Sequence, residues 1–224
     1  MINVAMDGPV GAGKSSVARE CAKRLGFIYV DTGALYRACG LYCKREGIEI
    51  IPENEGRIQA AINGGLTLEI KRIEGVQHVF MNGEDVSEEI RLPEISMAAS
   101  AVSALPSVRR FLLDTQRSVA AENNVIMDGR DIGTVILPDA QVKIFITAKS
   151  VVRAKRRYEE LVVKNIGITF KEVYTDLLRR DYNDSHRAEA PLKKAKDAVV
   201  LDTSELDFEQ TVEKVCEIIN SKTK

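Results

Sequence analysis

The chain has 224 residues, of which 45% are hydrophobic and 29% are charged, and its formal net charge is −1. This length and composition predict one globular domain, residues 1–224, with a sizeable core. The near-zero net charge argues against a nucleic-acid binder that works through overall basicity, and no apolar run reaches membrane-spanning length. Because the first predicted strand starts at residue 2, we expect no signal peptide and a cytoplasmic protein.

Short apolar runs rich in β-branched residues alternate with amphipathic helix patterns along most of the chain. This alternation is typical of a parallel sheet covered by helices. The predicted strands are 2–6, 27–30, 125–127, 142–147 and 198–201. The predicted helices are 14–25, 33–46, 105–122, 150–164, 169–184 and 207–220, and Asp207 and Glu209 suit the first turn of the last one. The fold class is therefore α/β, with a doubly wound five-stranded parallel sheet.

The first strand leads directly into the sequence GPVGAGKS at 8–15, which matches the phosphate-binding pattern G-x-x-x-x-G-K-[ST]. Lys14 is expected to reach the terminal phosphates of ATP, and the Ser15 hydroxyl to ligate Mg²⁺. A chance glycine-rich turn is disfavoured because a strand and a helix flank the motif. The residues predicted to bind ATP here are Gly8, Pro9, Val10, Gly11, Ala12, Gly13, Lys14, Ser15 and Ser16.

The second strand ends in the sequence DTGALYR at 31–37. Asp31 is a good helix N-cap, and Arg37 follows in the first helical turns. An arginine at this edge of a sheet is suited to an anion, although a solvated helix residue is the alternative.

A small antiparallel segment interrupts the α/β order between residues 66 and 86. Apolar residues alternate there, and turns are predicted at Glu74-Gly75 and Asn82-Gly83. The segment is predicted to be a subdomain inserted beside the main sheet. From these residues alone, a functional insertion and a surface addition without function both remain open.

The third strand ends at Asp128, where a carboxylate can hold Mg²⁺ directly or through water. A motor-type ATPase would usually place a water-activating glutamate after this aspartate, whereas this chain has Gly129 and Arg130. The sequence therefore favours transfer to a phosphate-bearing acceptor over hydrolysis.

Arginines are concentrated between the fourth and fifth strands. Arg153, Arg156 and Arg157 share one helix face by their spacing, and a second basic stretch spans 179–187. A solvated charged face is one interpretation. We favour a mobile lid that neutralises several phosphate charges and excludes water, because arginine suits bidentate phosphate recognition.

The cysteines and histidines are predicted to have no catalytic role. Cys21, Cys39, Cys43 and Cys216 form no C-x-x-C pair, so we expect reduced structural thiols and no structural metal site. His78 in the antiparallel segment and His186 in the basic stretch are expected to be surface or packing residues.

Taken in order, these motifs resemble the bacterial cytidylate kinases nearly end to end. Besides the phosphate loop, the matching segments are DTGALYR at 31–37, AAS at 98–100, DGRDIGT at 128–134, PDA at 138–140, RAEAPL at 187–192 and LDT at 201–203. The inserted antiparallel segment also fits the bacterial enzymes. The resemblance implies a P-loop kinase fold in which residues 32–95 bind the acceptor nucleotide and residues 150–188 form a helical lid.

The same resemblance implies transfer of a phosphoryl group from ATP, with Mg²⁺, to CMP or dCMP. It also implies roles for individual residues, which fall into five groups. The acceptor phosphate is assigned to Arg37, Arg130 and Arg187; the cytosine to Thr32, Ser100, Arg109 and Asp131; the sugar to Arg180 and Asp184; the transferring phosphoryl group to Lys14, Arg130, Arg153 and Arg157; and the adenine of ATP to Asp202 and Thr203. The metal ligands are Ser15 and Asp128.

The chemistry of cytosine agrees with this assignment, because the Asp131 carboxylate or the Ser100 hydroxyl can accept a hydrogen bond from its exocyclic amine. Many family members have serine at the position of Thr32 and a basic residue near Asn183, so details of base binding and lid charge differ. A kinase for UMP, AMP or another phosphorylated metabolite, an ATPase or switch, and a nucleotide-binding scaffold remain alternatives. We expect a monomer that acts on small molecules, with no nucleic acid or membrane partner.

Overall fold

The computed structural model describes residues 1–163 and 167–223. Its strands in chain order are β1 (Asn3–Asp7), β2 (Ile28–Asp31), β3 (Leu68–Ile73), β4 (Val76–Met81), β5 (Glu84–Asp85), β6 (Val125–Gly129), β7 (Val142–Thr147) and β8 (Val199–Asp202). Its helices are α1 (Lys14–Leu25), α2 (Thr32–Arg45), α3 (Glu55–Gly65), α4 (Pro93–Val102), α5 (Pro106–Glu122), α6 (Ser150–Val163), α7 (Phe170–His186) and α8 (Phe208–Lys222).

The chain forms two compact units. Unit 1 comprises the described residues of Met1–Tyr29 and Ala120–Lys224, and unit 2 comprises Val30–Val119. Each unit has its own apolar core. In unit 1 the core joins the central strands to α1 and α8, whereas in unit 2 it joins α2 to the antiparallel strands and to α3, α4 and α5.

The main sheet has the strand order β2-β6-β1-β7-β8. Strand β1 pairs in parallel with β6 and with β7, and β8 is parallel to β7. The predicted five-stranded parallel sheet is confirmed, with strand ends that differ by at most two residues. Because Met6 lies opposite Asp128 in the β1–β6 register, the phosphate loop after β1 and the carboxylate at the end of β6 emerge at one edge of the sheet.

The predicted antiparallel insertion is confirmed as the sheet β3-β4-β5 in unit 2. Both predicted turns have two consecutive residues with positive φ, at Glu74 and Gly75 (52° and 80°) and at Asn82 and Gly83 (51° and 84°). This backbone is that of the tight hairpin turns whose twist matches antiparallel strands. Val79 and Met81 of β4 are buried in the core of unit 2, so the insertion is packed into that unit rather than appended to it.

Side-chain caps set several helix ends. Asp31 accepts a hydrogen bond from the backbone N–H of Ala34 and starts α2 at Thr32. Asp207 is the N-cap of α8 in a capping box with Gln210, not a first-turn residue as predicted. Residue 164, at the end of the predicted helix 150–164, lies outside the described residues. No helix in the described part of the chain is long and apolar enough to cross a membrane.

Two helices of unit 2 were absent from the prediction, α3 and α4. Helix α3 contains Gly56, Gly64 and Gly65, which have low helix propensity, and buries only Ile58 and Ile62. Helix α4 is ten residues long and packs on α2 at Gly40. In both cases packing, rather than local propensity, stabilises the helix.

Candidate functional site

The phosphate loop of unit 1 holds glycines in conformations that other residues rarely adopt. Gly8 has φ 150°, and a Cβ atom there would lie 1.9 Å from the carbonyl oxygen of Ile146. Gly13, the N-cap of α1, is left-handed at φ 83° and supplies no side-chain acceptor to the first turn. The N–H groups at this helix start are therefore arranged for an external anion.

Lys14 lies inside this loop, with only 5% of its surface exposed. Its ammonium group donates a hydrogen bond to the carbonyl oxygen of Pro9 at 2.8 Å. Burial, followed by the nearby charge of Arg130, lowers the pKa of Lys14 to about 7, although the carboxylates of Asp128, Asp7 and Asp184 oppose the change. A bound polyphosphate would supply the negative charge that favours the protonated form.

The Asp128 carboxylate accepts hydrogen bonds from the side chains of Ser15 and Tyr29. The Ser15 hydroxyl donates to Oδ2 at 2.7 Å, and the Tyr29 hydroxyl donates to Oδ1 at 3.0 Å. The two residues predicted as Mg²⁺ ligands, Ser15 and Asp128, are thus brought together. Tyr29 orients the carboxylate from the other side and was not predicted.

A second buried carboxylate, Asp7, lies at the entry to the phosphate loop. Its two oxygens accept hydrogen bonds from the backbone N–H groups of Ile132 and Gly133, both at 2.8 Å. These donors begin a short π-helical turn, Ile132–Ile136, that follows Asp131. Burial raises the pKa of Asp7 to about 6, whereas the two backbone hydrogen bonds lower it. Asp7 therefore connects the phosphate loop to the segment that carries Asp131.

Two ion pairs join the segment after β6 to α7 and its exit. The Arg130 Nε donates to Asp184 at 2.7 Å, and the Arg187 guanidinium donates to Asp131 at 3.2 Å. Although burial opposes ionisation, the charge and hydrogen bond of Arg130 hold the pKa of Asp184 below its usual value. Burial and the charge of Arg130 lower the pKa of Arg180 to about 10. Five residues predicted to bind the acceptor are therefore electrostatically linked in unit 1.

Arg153 is only 6% exposed, and its guanidinium group is bound by other residues of the protein. Its Nε donates to the carbonyl oxygen of Ala148 at 2.8 Å, and its Nη1 donates to the carbonyl oxygen of Val10 at 2.7 Å and pairs with Asp181 at 2.7 Å. Asp181 also accepts the backbone N–H of Val10 at 3.2 Å. Both polar groups of one phosphate-loop residue are thus held by α6 and α7.

The other two arginines of this face of α6, Arg156 and Arg157, have separate partners. Arg157 pairs with Glu160 at 2.8 Å on the surface of α6. Arg156 donates to the hydroxyl of Thr203 at 3.0 Å and to its carbonyl oxygen at 2.6 Å. Asp202 accepts hydrogen bonds from Ser204, and the side-chain bond is the main reason that its pKa lies below the usual value. Arg156 was predicted only as part of the arginine-rich lid, yet it holds the segment predicted to contact adenine.

In unit 2, Asp31 and Arg37 form an ion pair at the start of α2. Arg37 Nη2 donates to Asp31 Oδ2 at 2.8 Å, and Asp31 also caps the helix. The Nε of Arg37 is buried and has no hydrogen-bond partner within the described residues. A Cβ atom on Gly33 would lie 3.2 Å from the Asp31 carboxylate and 3.3 Å from the Arg37 guanidinium. The glycine leaves space for this pair.

The remaining predicted acceptor residues of unit 2 lie on α2, α4 and α5. Thr32 is 2% exposed at the first position of α2. The Arg109 guanidinium lies 5.7 Å from the centre of the Tyr36 ring and donates to the carbonyl oxygen of Ser103 at 3.2 Å. The Ser103 hydroxyl in turn donates to the carbonyl oxygen of Ser100 at 2.9 Å. The structure therefore brings Ser100 and Arg109 to one part of unit 2.

Residues that the sequence prediction missed are those that hold other site residues in place. Asp7 and Tyr29 belong to strands interpreted only by their apolar pattern. Gln77 belongs to β4, and its side chain accepts a hydrogen bond from the Asp31 N–H at 2.9 Å. The available signal for Asp7 was a carboxylate directly before the glycine-rich loop. Tyr29 and Gln77 have no comparable signal, because their partners are distant in sequence.

Comparison with known proteins gives consistent matches over the whole chain. A family model described as "Cytidylate kinase" matches residues 4–221. A cytidylate kinase of Caldanaerobacter subterraneus subsp. tengcongensis is 49% identical over 224 residues, covering 100% of this chain and 96% of that protein. A cytidylate kinase of Lactobacillus johnsonii is 47% identical over 226 residues, with the same coverage. These matches include both units and the inserted sheet.

Among solved structures, a shikimate kinase from Bacteroides thetaiotaomicron has a TM-score of 0.48 and is 12% identical, with 98% of each chain covered.

Proposed function

We propose that this chain, which belongs to the cytidylate kinase family, transfers the γ-phosphoryl group of ATP to CMP and dCMP and so produces CDP and dCDP. The observation that carries the proposal is the donor end of unit 1. There the glycine-rich loop, the buried Lys14 and the Ser15–Asp128 pair converge at the carboxyl end of the central strands. This is the arrangement that P-loop kinases use to bind a nucleoside triphosphate.

The Ser15–Asp128 pair fits Mg²⁺. The hydroxyl and carboxylate oxygens lie 2.7 Å apart, and Mg²⁺ prefers oxygen ligands, commonly one or two carboxylates together with substrate phosphates and water. We assign these two residues as its ligands. When bound, the metal would neutralise charge that develops on the β- and γ-phosphates.

Arginines are proposed to hold the acceptor phosphate, namely Arg37 of unit 2 and Arg130 and Arg187 of unit 1. The support from Arg37 is its buried Nε, which has no hydrogen-bond partner in the described part of the chain. A buried donor without an acceptor is costly, and a phosphate oxygen would satisfy it. Arg130 and Arg187 are already oriented by Asp184 and Asp131.

Specificity for cytosine is proposed to come from hydrogen-bond acceptors that match its exocyclic amine. Asp131 is 3% exposed and held by Arg187, so its carboxylate is a fixed acceptor. Ser100, Arg109 and Thr32 are the proposed partners from unit 2, with Arg180 and Asp184 at the sugar. Uracil would present a carbonyl to an acceptor, and the buried group left unpaired costs about 1–3 kcal/mol.

Catalysis is proposed to rest on positioning and charge neutralisation. The acceptor phosphate oxygen is already an anion, so no general base is needed. Lys14 and Arg130, with Arg157 and Arg153 from the proposed lid at 150–188, would stabilise the transferring phosphoryl group. Arg153 binds the carbonyl oxygen of Val10 and the carboxylate of Asp181. These contacts support a second role for Arg153, in shaping the phosphate loop.

The adenine of ATP is proposed to lie near Asp202 and Thr203. The support is that Arg156 and Ser204 hold this segment in place.

We further propose that residues 32–95 bind the acceptor nucleotide and that the enzyme is a cytoplasmic monomer. Light scattering of the purified protein with and without nucleotides tests the oligomeric state.

The deciding experiment is coupled release of ADP with MgATP against CMP, dCMP, UMP, AMP, GMP and dTMP, together with a reaction that lacks an acceptor. We expect turnover with CMP and dCMP and none without an acceptor. Preference for UMP or AMP would overturn the assigned roles of Asp131, Ser100 and Arg109. ADP release without an acceptor would instead indicate an ATPase or switch.

A further inference from the structure

Gln77 is a polar residue on the apolar side of the inserted sheet. Side chains along a strand alternate between faces, so Gln77 shares a face of β4 with Val79 and Met81, which are 1% and 3% exposed. His78 is on the opposite face and pairs with Asp85. A glutamine in line with core residues requires a polar partner.

That partner is the backbone of Asp31, the last residue of β2. The Asp31 N–H donates to Gln77 Oε1 at 2.9 Å, and Gln77 Nε2 donates to the Asp31 carbonyl oxygen at 3.3 Å. One side-chain amide therefore binds both polar groups of one residue, as a neighbouring strand would. Asp31 is 8% exposed, so these groups have little access to water.

The side chain of Asp31 acts on α2. One carboxylate oxygen caps the helix at 3.0 Å from the Ala34 nitrogen, and the other binds Arg37 at 2.8 Å. The backbone of Asp31 is thus fixed by the insertion, while its side chain orients Arg37. Because the guanidinium is bound directly to the Asp31 carboxylate, a rotation of the Asp31 backbone would move the guanidinium.

The insertion does not need Gln77 to stay attached. Val79, Met81 and Val86 belong to the apolar core that includes α2, and the Ser87 hydroxyl accepts the Val79 N–H at 2.9 Å. The two hydrogen bonds of Gln77 are therefore not required to anchor the insertion, and they can serve to position Asp31.

We propose that Gln77 is a positioning residue for the acceptor phosphate: it fixes the Asp31 backbone so that the Asp31–Arg37 pair is presented to the phosphate of CMP. This inference rests on the proposed role of Arg37 in the cytidylate kinase reaction. The inserted sheet would thus contribute to acceptor recognition indirectly, because Gln77 acts through Asp31 and Arg37 and need not contact the nucleotide.

The primary test is Gln77→Met, which keeps the approximate volume and removes both hydrogen bonds. We expect the KM for CMP to rise roughly threefold to tenfold, the range that the loss of one or two such bonds produces. The KM for ATP should stay within twofold. His78→Asn is the matched control, because it alters the same strand on the opposite face, and it should change neither constant.

Two further measurements separate positioning from general damage to the fold. Inhibition by cytidine, which lacks the phosphate, should be unchanged in Gln77→Met. In a double-mutant cycle with Arg37→Met, the Gln77 substitution should add little to the KM for CMP once Arg37 is absent. An equal loss of cytidine affinity, or full additivity with Arg37→Met, would overturn the inference.

Failure of the inference is distinguishable from failure of the proposed function. If Arg37→Met leaves the KM for CMP unchanged, the assignment of Arg37 is wrong. If Arg37→Met raises it and Gln77→Met does not, only the inference fails. Should Gln77→Met not fold, Gln77→Glu keeps an acceptor for the Asp31 N–H and loses the donor, and the same increase in KM for CMP is expected.

Discussion

Asp7 combines full burial with two backbone hydrogen bonds that oppose the effect of burial. It is 4% exposed, and the N–H groups of Ile132 and Gly133 bind its two oxygens. Burial is the larger effect, and the pKa is raised from its ordinary value of 3.8 to about 6. The folded protein therefore binds a proton at this site more tightly than the unfolded chain does.

The sign of this shift gives a prediction for Asp7→Asn. The stabilisation from the protonated acid is complete below the unfolded pKa and is lost as pH rises through about 6. The amide does not titrate, so the free energy of unfolding of the wild type minus that of the variant should fall by about 1 kcal/mol from pH 5 to pH 7. Urea unfolding of both proteins at matched pH values measures this quantity. A value that stays constant, or rises with pH, would contradict the shift.

Tyr29 carries a second prediction at the scale of a single residue. Its hydroxyl donates to Asp128 at 3.0 Å, and Tyr29→Phe removes that bond without changing the ring. Because one hydrogen bond orients the proposed metal ligand, we expect the Mg²⁺ concentration for half-maximal activity to rise roughly twofold to fivefold.

Direct titration of Mg²⁺ binding in the presence of a non-hydrolysable ATP analogue should show the same displacement in Tyr29→Phe. Tyr42→Phe serves as the control, since its hydroxyl donates to the carbonyl oxygen of Ala61 in unit 2. Equal Mg²⁺ requirements in the two variants would exclude a positioning role for Tyr29.

At the scale of elements, the contact between α2 and α4 depends on the absence of a side chain at Gly40. A Cβ atom there would lie 2.9 Å from the Cβ of Ala98 and within 3.2 Å of the backbone of α4. Gly40→Ala is expected to destabilise the protein by about 1–3 kcal/mol. It should also raise the KM for CMP, because α4 carries Ser100, one of the residues proposed to bind cytosine.

The matched substitution is Gly56→Ala in α3, where no other atom of the described residues, the helix's own backbone aside, lies within 4 Å of the added Cβ. This change should stabilise the protein by roughly 0.5–1 kcal/mol through helix propensity. Thermal and urea unfolding of both variants provide the comparison. Similar effects of the two substitutions would show that α2 and α4 adapt to the added methyl group.

Local sequence patterns predicted the elements whose own residues show a clear apolar periodicity or typical turn residues. The main strands are apolar runs, and the turns at 74–75 and 82–83 have the residue types that positive φ favours. Helix α3 lacked such a signal because its glycines depress helix propensity, and α4 is stabilised by its packing on α2. Elements fixed by tertiary contacts are the ones that local patterns miss.

At the scale of the whole molecule, ligand binding should raise stability by mass action. At a nucleotide concentration of about 100 times Kd the gain is about 2.7 kcal/mol, which corresponds to a rise in Tm of roughly 5–11 °C for a chain of this size. Lys14→Met should lose most of the increase caused by MgATP and retain the increase caused by CMP. Differential scanning calorimetry tests this, and loss of both increases would indicate that the substitution disrupts more than the donor site.

The candidate site was only partly predictable from the sequence. The motifs identified residues by type and by position at strand ends, such as Lys14, Asp128 and Arg130. They did not predict that Asp181 binds Val10, or that Gln77 binds Asp31, because each pair joins residues far apart in the chain. Such partners are a property of the folded topology, and a single sequence carries no local pattern for them.

The close approach of Gly8 to β7 has a consequence for how this gene can vary. Any missense change at codon 8 adds a Cβ atom that would overlap the Ile146 carbonyl oxygen, in a backbone conformation that L-residues rarely adopt. At Gly56, by contrast, an added Cβ atom would have no other described atom within 4 Å, the helix's own backbone aside. In a library of all single substitutions, variants at position 8 should disappear under selection for nucleotide kinase activity, whereas many at position 56 persist. We therefore expect no substitution of Gly8, the first glycine of the phosphate loop, to be functionally neutral.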